Sequence, residues 1–191
     1  MADPAHVNPT LRLPGRAPGS RRLIIVAVLV MLGLAVITGA GYWLGHASLL
    51  RGYGDGMGAP TPIGRTIAFD TAVVSDRDAI RVSLKSLKPR VTENSSDATI
   101  VFVVCRRNAG TTTLGVSRTS DLRKYCTRTD PLRRSFVGSL GYTTNQILVL
   151  VTPRKSGRVH ITGYNATYRV GIRSGTQHVG LDTTVTTPLH R

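Results

Sequence analysis

The chain has 191 residues, with 25 Lys and Arg against 10 Asp and Glu, and a formal net charge of +15. That length suits one domain of ordinary size rather than two, and 41% hydrophobic residues exclude a wholly disordered chain. Two Cys exclude a multi-disulfide miniprotein and any four-cysteine metal site, and 20 Gly with 10 Pro are too few for a fibrous protein.

Residues 1–22 hold four Pro and four Arg and read as a disordered basic cytoplasmic tail. Residues 23–44, LIIVAVLVMLGLAVITGAGYWL, contain no charge over 22 positions. A helix of that length spans roughly 33 Å, close to the ~30 Å hydrocarbon core of a bilayer. A signal peptide has a shorter apolar region of about 7–15 residues, so a retained transmembrane helix is the better reading, although Gly45-His46-Ala47 could serve as a cleavage site. Arg12, Arg16, Arg21 and Arg22 precede the segment, whereas only Arg51 follows it closely. By the positive-inside rule these residues set the N-terminus in the cytoplasm and the rest of the chain outside. Tyr42 and Trp43 then stand at the outer headgroup level, where amphipathic rings settle. Residues 45–64 are rich in Gly and Pro and suit a linker between membrane and domain.

From residue 65 to 191 the hydrophobic pattern alternates. Ile80, Val82 and Leu84 fall on one face of an extended segment, and Arg81, Ser83 and Lys85 on the other. Segments 66–74, 79–87, 98–105, 146–152, 158–164 and 166–172 read as strands, with weaker candidates at 111–117 and 179–185. Turn residues separate them, among them Asn94-Ser95-Ser96-Asp97, Lys155-Ser156-Gly157 and Ser174-Gly175. Only 119–125 suits a helical turn or two. Six to eight short strands predict an all-β domain, an immunoglobulin-like β-sandwich or else a small β-barrel, preceded by one transmembrane helix.

Cys105 and Cys126 lie 21 positions apart, and outside the cytoplasm two Cys favour one disulfide. The spacing and the lack of a Trp between them argue against an antibody-type domain. Around the excursion that this bridge would close stand Arg106, Arg107, Arg118, Arg123, Lys124, Arg128, Arg133 and Arg134, opposed by Asp121 and Asp130. From residue 45 onward the charge is +12, from 21 basic and 9 acidic residues. Such a field attracts an anionic envelope polymer, a lipid surface or another polyanion. Nucleic acid fits less well, because Tyr125 and Phe136 do not make a stacking series.

No catalytic set emerges. His160, His178 and Asp182 would need to converge with further ligands to hold a metal, and no cofactor motif is present. A GxSxG element is absent, and Glu93 is the sole Glu. Sortases share the anchored β-domain plan, but they place a Cys at a strand end in a TLxTC-like motif, where this chain has ILVLVTP at residues 147–153.

Residues 160–180, HITGYNATYRVGIRSGTQHVG, carry Gly163, Tyr168, Gly171, Gly175, Thr176, Gln177 and Gly180. This block resembles one found in membrane-anchored extracytoplasmic proteins of high-GC Gram-positive bacteria, as do the preceding LVTPRKSGRVHITG and the Cys105/Cys126 arrangement. The resemblance implies an envelope setting and no particular activity. Read physically, the block is a hairpin with Gly175 in a turn, Tyr168 packed on the core and Gln177 hydrogen-bonded in a turn or across strands. The expected function is therefore a non-enzymatic interaction or accessory module, tethered to the membrane and facing an envelope protein, with anionic-polymer binding through the basic loop as the rival.

Overall fold

A computed structural model describes residues 19–45, 50–51, 56–71, 73–75, 81–111, 114–132, 135–141 and 144–188. The chain divides into two compact units, residues 1–41 and 42–191. Arg12, Arg16, Arg133 and Arg134 lie outside the described residues, as does the start of the segment read as a strand at 79–87.

Helix α1 spans Gly19–Gly45. Its stretch Arg22–Leu44 is 23 residues long and apolar enough to cross a membrane. Apolar side chains point outward on every side: Leu29, Met31, Leu32, Val36 and Ile37 are all more than half exposed. The one hydroxyl in its middle, Thr38 Oγ1, donates back to the Leu34 carbonyl at 2.8 Å, which removes its need for an outside partner.

The remainder is all-β, in two five-stranded sheets and one small ribbon. The first sheet contains β3 (Ile67–Asp70), β6 (Thr99–Arg107), β7 (Val116–Arg118), β8 (Cys126–Pro131) and β10 (Asn145–Thr152), in the order β7-β3-β10-β6-β8. The second contains β2 (Met57–Pro60), β5 (Arg81–Asn94), β9 (Phe136–Ser139), β11 (Gly157–Val170) and β12 (Arg173–Thr187), in the order β2-β12-β11-β5-β9. Every pairing is antiparallel except β2 with β12, which is parallel. β1 (Leu50–Arg51) pairs with β4 (Val74–Ser75).

Inward-facing residues of both sheets share one core. Ile67, Phe69, Phe102, Ile147 and Val149 of the first sheet meet Val82, Leu84, Val159, Ile161, Tyr164 and Tyr168 of the second. The Phe102 and Tyr164 rings touch edge to face, 5.6 Å between centroids, so the contact between sheets is direct. A smaller cluster of Ala68, Val103, Cys105, Leu114, Leu122, Cys126 and Leu148 forms on the opposite face of the first sheet.

Three expectations are corrected. The stretch 45–64 does not serve only as a linker, because β1 and β2 within it join the folded domain and Leu50 is fully buried. Gln177 holds it there: the Gln177 side-chain amide donates to the Leu50 carbonyl at 2.5 Å, while the Gln177 side-chain oxygen accepts from the Leu50 amide at 3.3 Å and the Tyr168 hydroxyl at 2.8 Å. Second, segments 158–164 and 166–172 are one 14-residue strand, β11. The expected break at Asn165 does not occur, since Asn165 pairs with His178; the irregularity lies between Thr162 and Tyr164, where Gly163 takes φ 84° and Gly180 on β12 takes φ 96°. Third, the hairpin turns at Gly171, φ 57°, and Gly175 sits inside β12 opposite Tyr168.

Candidate functional site

The disulfide is formed between Cys105 of β6 and Cys126 at the start of β8, with Cα atoms 5.3 Å apart. Those strands are neighbours, so the bridge lies within one sheet and closes the excursion between them. Inside the loop the chain forms β7, a 3-10 turn at Thr119–Asp121 and helix α2 at Leu122–Tyr125. Leu114 and Leu122 turn inward onto the outer face of the sheet. The neck of the loop is tied by Asn108, whose side-chain amide donates to the Lys124 carbonyl at 3.0 Å and whose backbone amide donates to the Tyr125 carbonyl at 2.8 Å.

Burying the leucines leaves the charged residues of the excursion facing solvent, but they do not converge. Arg118 lies on β7 and Arg128 on β8, opposite edges of the sheet with three strands between them. Arg106 and Arg128 stand opposite one another and share Asp130, at 3.5 Å and 2.6 Å. Their charge is therefore partly neutralised. Arg107 turns inward: its guanidinium donates to the Thr111 carbonyl, and the residue is half-buried. Lys124 pairs with Asp121 at 2.8 Å, and this contact holds the Asp121 carboxyl below its usual range and raises the Lys124 ammonium. Lys124 is exposed and Asp121 partly so, and solvent screens the pair. Arg118 and Arg123 are exposed with no ion pair of their own among the described residues.

Two features escape the sequence. Strand β5 runs on to Asn94, beyond the expected end at 87, and so adds Lys88 and Arg90 to the exposed Arg81 and Lys85 as a basic row. The second is a cleft of about 620 Å³ whose lining includes Arg65, Arg118, Thr61, Thr66, Thr119 and Ser120. Its basic residues are 53 positions apart in sequence, and only the β3–β7 pairing brings them together.

The titratable residues of the second sheet remain separate. His160 Nε2 is 3.9 Å from Asp182 Oδ2, and its Nδ1 lies 3.0 Å from Thr92 Oγ1. His178 instead pairs with Asn165 at 3.2 Å, several residues further along the same ladder. Among the described residues no three His, Cys, Asp or Glu come together in a way that could hold a metal.

No family model matches the sequence, and no curated protein matches it. Its chemistry must be read from its own side chains.

Proposed function

We propose that the chain is a single-pass membrane protein whose immunoglobulin-like β-sandwich works outside the cytoplasm as a non-enzymatic interaction or accessory module of the cell envelope. The observation that carries this reading is α1, in which apolar side chains on all sides lack protein cover. A bilayer is the environment that would bury them at about 25 cal/mol per Å² of apolar surface. The arginines before the apolar stretch favour an N-terminus inside. An oxidising location for the C-terminal part agrees with the Cys105–Cys126 bond. The block at 160–180 resembles anchored envelope proteins and supports the same setting. A reporter fused after Arg191 tests it: one that works only outside the cytoplasm is expected to be active, and activity of a cytoplasmic reporter there would overturn the topology. Detergent co-purification should then recover a stoichiometric envelope protein partner.

A second reading, binding of an anionic polymer or lipid surface by the excursion, is favoured by Arg118 and Arg123, which are exposed and form no ion pair among the described residues. Binding of the full chain to anionic polymer should fall with salt, since unburied charges are screened over about 8 Å at physiological ionic strength. Arg118→Gln with Arg123→Gln should weaken it further. Binding indifferent to both salt and substitution would remove this reading.

A further inference from the structure

Strands β3 and β7 run side by side only as far as the pair Ile67 and Arg118. Past that pair the two segments part. One leads back through the turn 60–66, and the other bends forward into the 3-10 turn at Thr119–Asp121. The gap between them is the cleft of about 620 Å³. Its lining holds two guanidinium groups, Arg65 and Arg118, and four hydroxyls, and it holds no carboxylate. The nearest acid in sequence, Asp121, does not line the cleft; it pairs with Lys124 and also feels the charge of Arg118. Thr66 Oγ1 shares a hydrogen bond with Thr152 Oγ1 at 2.8 Å. Thr61 is only 3% exposed, and its Oγ1 has no hydrogen-bond partner among the described residues. That oxygen is sealed from solvent and does not reach into the cleft, so the accessible lining is Arg65, Arg118 and the remaining hydroxyls, with no negative charge among them.

We propose that this cleft binds a phosphate-bearing ligand. Arginine presents its donors in a planar fork that matches phosphate oxygens two at a time, and two such forks with neighbouring hydroxyls suit a group with several acceptor oxygens. The volume falls within the ~300–1,000 Å³ range of small-molecule sites and exceeds what a bare phosphate requires, so the ligand carries its phosphate on a further group. That group is either a lipid headgroup or a soluble phosphate ester. The inference rests on the second reading above, but it moves the recognition from the excursion at large to one cleft that shares only Arg118, Thr119 and Ser120 with it.

Calorimetric titration of the full chain in neutral detergent, at physiological salt, tests it with glycerol 3-phosphate as the probe. The expected result is saturable binding of one equivalent, absent with glycerate. Arg65→Gln, which touches only the cleft, should weaken binding at least about tenfold, as loss of a charge-assisted hydrogen-bond donor does. Arg123→Gln, which is exposed and does not line the cleft, should change it less than about twofold, because a solvated charge that makes no contact with the ligand is screened. Competition by phosphatidylglycerol in nanodiscs would identify the lipid headgroup as the source, and no competition would identify a soluble ester. Weakening by Arg123→Gln but not by Arg65→Gln would overturn the cleft and leave the excursion reading standing. No binding to protein that keeps its disulfide and melting temperature would overturn the cleft, as would equal binding of glycerate.

Discussion

The two sheets of this domain solve the problem of an apolar face differently. Strand β10 of the first sheet reads as an almost unbroken apolar run, and its residues 146–149 are all buried. Strand β12 of the second alternates buried and exposed along its C-terminal half. The second sheet thus faces water on its outer side, through Thr162, Thr167, Thr176 and Thr184, as antiparallel sheets commonly do. The first is covered on both sides, by the second sheet on one and by the disulfide-closed excursion on the other. An uninterrupted apolar strand in a small β-domain therefore announces a second cover. Where that cover ends, Val101 emerges 45% exposed.

Opening the cover should have the largest effect. Cys126→Ser is expected to lower stability by about 2–5 kcal/mol, because the loop regains its freedom in the unfolded chain. Denaturant titration would read the loss, and a hydrophobic dye should bind the face around Val103 and Leu148. Unchanged stability and no dye binding would mean that the cover holds without its bridge. A matched pair of truncations sharpens the contrast. Leu148→Ala, beneath the cover and fully buried, should cost about 2–4 kcal/mol, toward the lower part of the usual range because the small cluster can settle into the space. Thr167→Ala, on the uncovered face of the second sheet, should cost less than about 1 kcal/mol, the worth of its cross-strand hydroxyl pair with Thr176 at 2.9 Å. Equal costs would end the distinction between the two faces.

The second sheet has a device of its own, the Gly163/Gly180 bulge. A Cβ at Gly180 would lie 2.7 Å from the Thr71 carbonyl and against the Tyr164 ring, and φ 96° disfavours any side chain. Gly180→Ala should therefore cost about 1–3 kcal/mol, read as a fall in melting temperature. A neutral outcome would mean that the ladder relaxes around the bulge and that its geometry is not fixed by the two glycines.

What the sequence revealed follows the same division. The strands with clear alternation or long apolar runs, β5, β6, β10 and β11, are legible because burial imposes their period. β8 and β9 are not: CTRTDP and FVGS lie at sheet edges, where half the backbone groups face water and polar residues, Pro and Gly are tolerated. β2, MGAP, is another edge strand, and composition alone made it look like linker. Asn165 read as a break between two strands because Asn is a turn former, whereas pairing on both sides carries β11 straight through it. The basic excursion was visible as charge, yet the side-chain directions that set Arg107 inward and spread Arg118 and Arg128 to opposite edges depend on pairing. The cleft was invisible for the same reason.

The smallest effect concerns pH, and it probes the shared core rather than either outer face. Tyr164 is fully buried between the sheets, with its hydroxyl 3.4 Å from Thr183 Oγ1. Burial pushes its phenol up to about 12 from 10.0, opposed by the Thr183 hydrogen bond and reinforced by the charges of Asp70 and Asp182. The folded state therefore holds this proton more tightly than the unfolded chain does. The resulting stability is fully present below pH 10 and is lost as pH rises from 10 towards 12. Tyr164→Phe removes the ionisable group, so stability measured across that window should fall less steeply in the variant than in the parent chain. Tyrosine absorbance should show the matching change, with the phenol that ionises at about 12 missing. If both proteins lose stability along the same slope, the Tyr164 phenol ionises without leaving the core, and water reaches the space between the sheets.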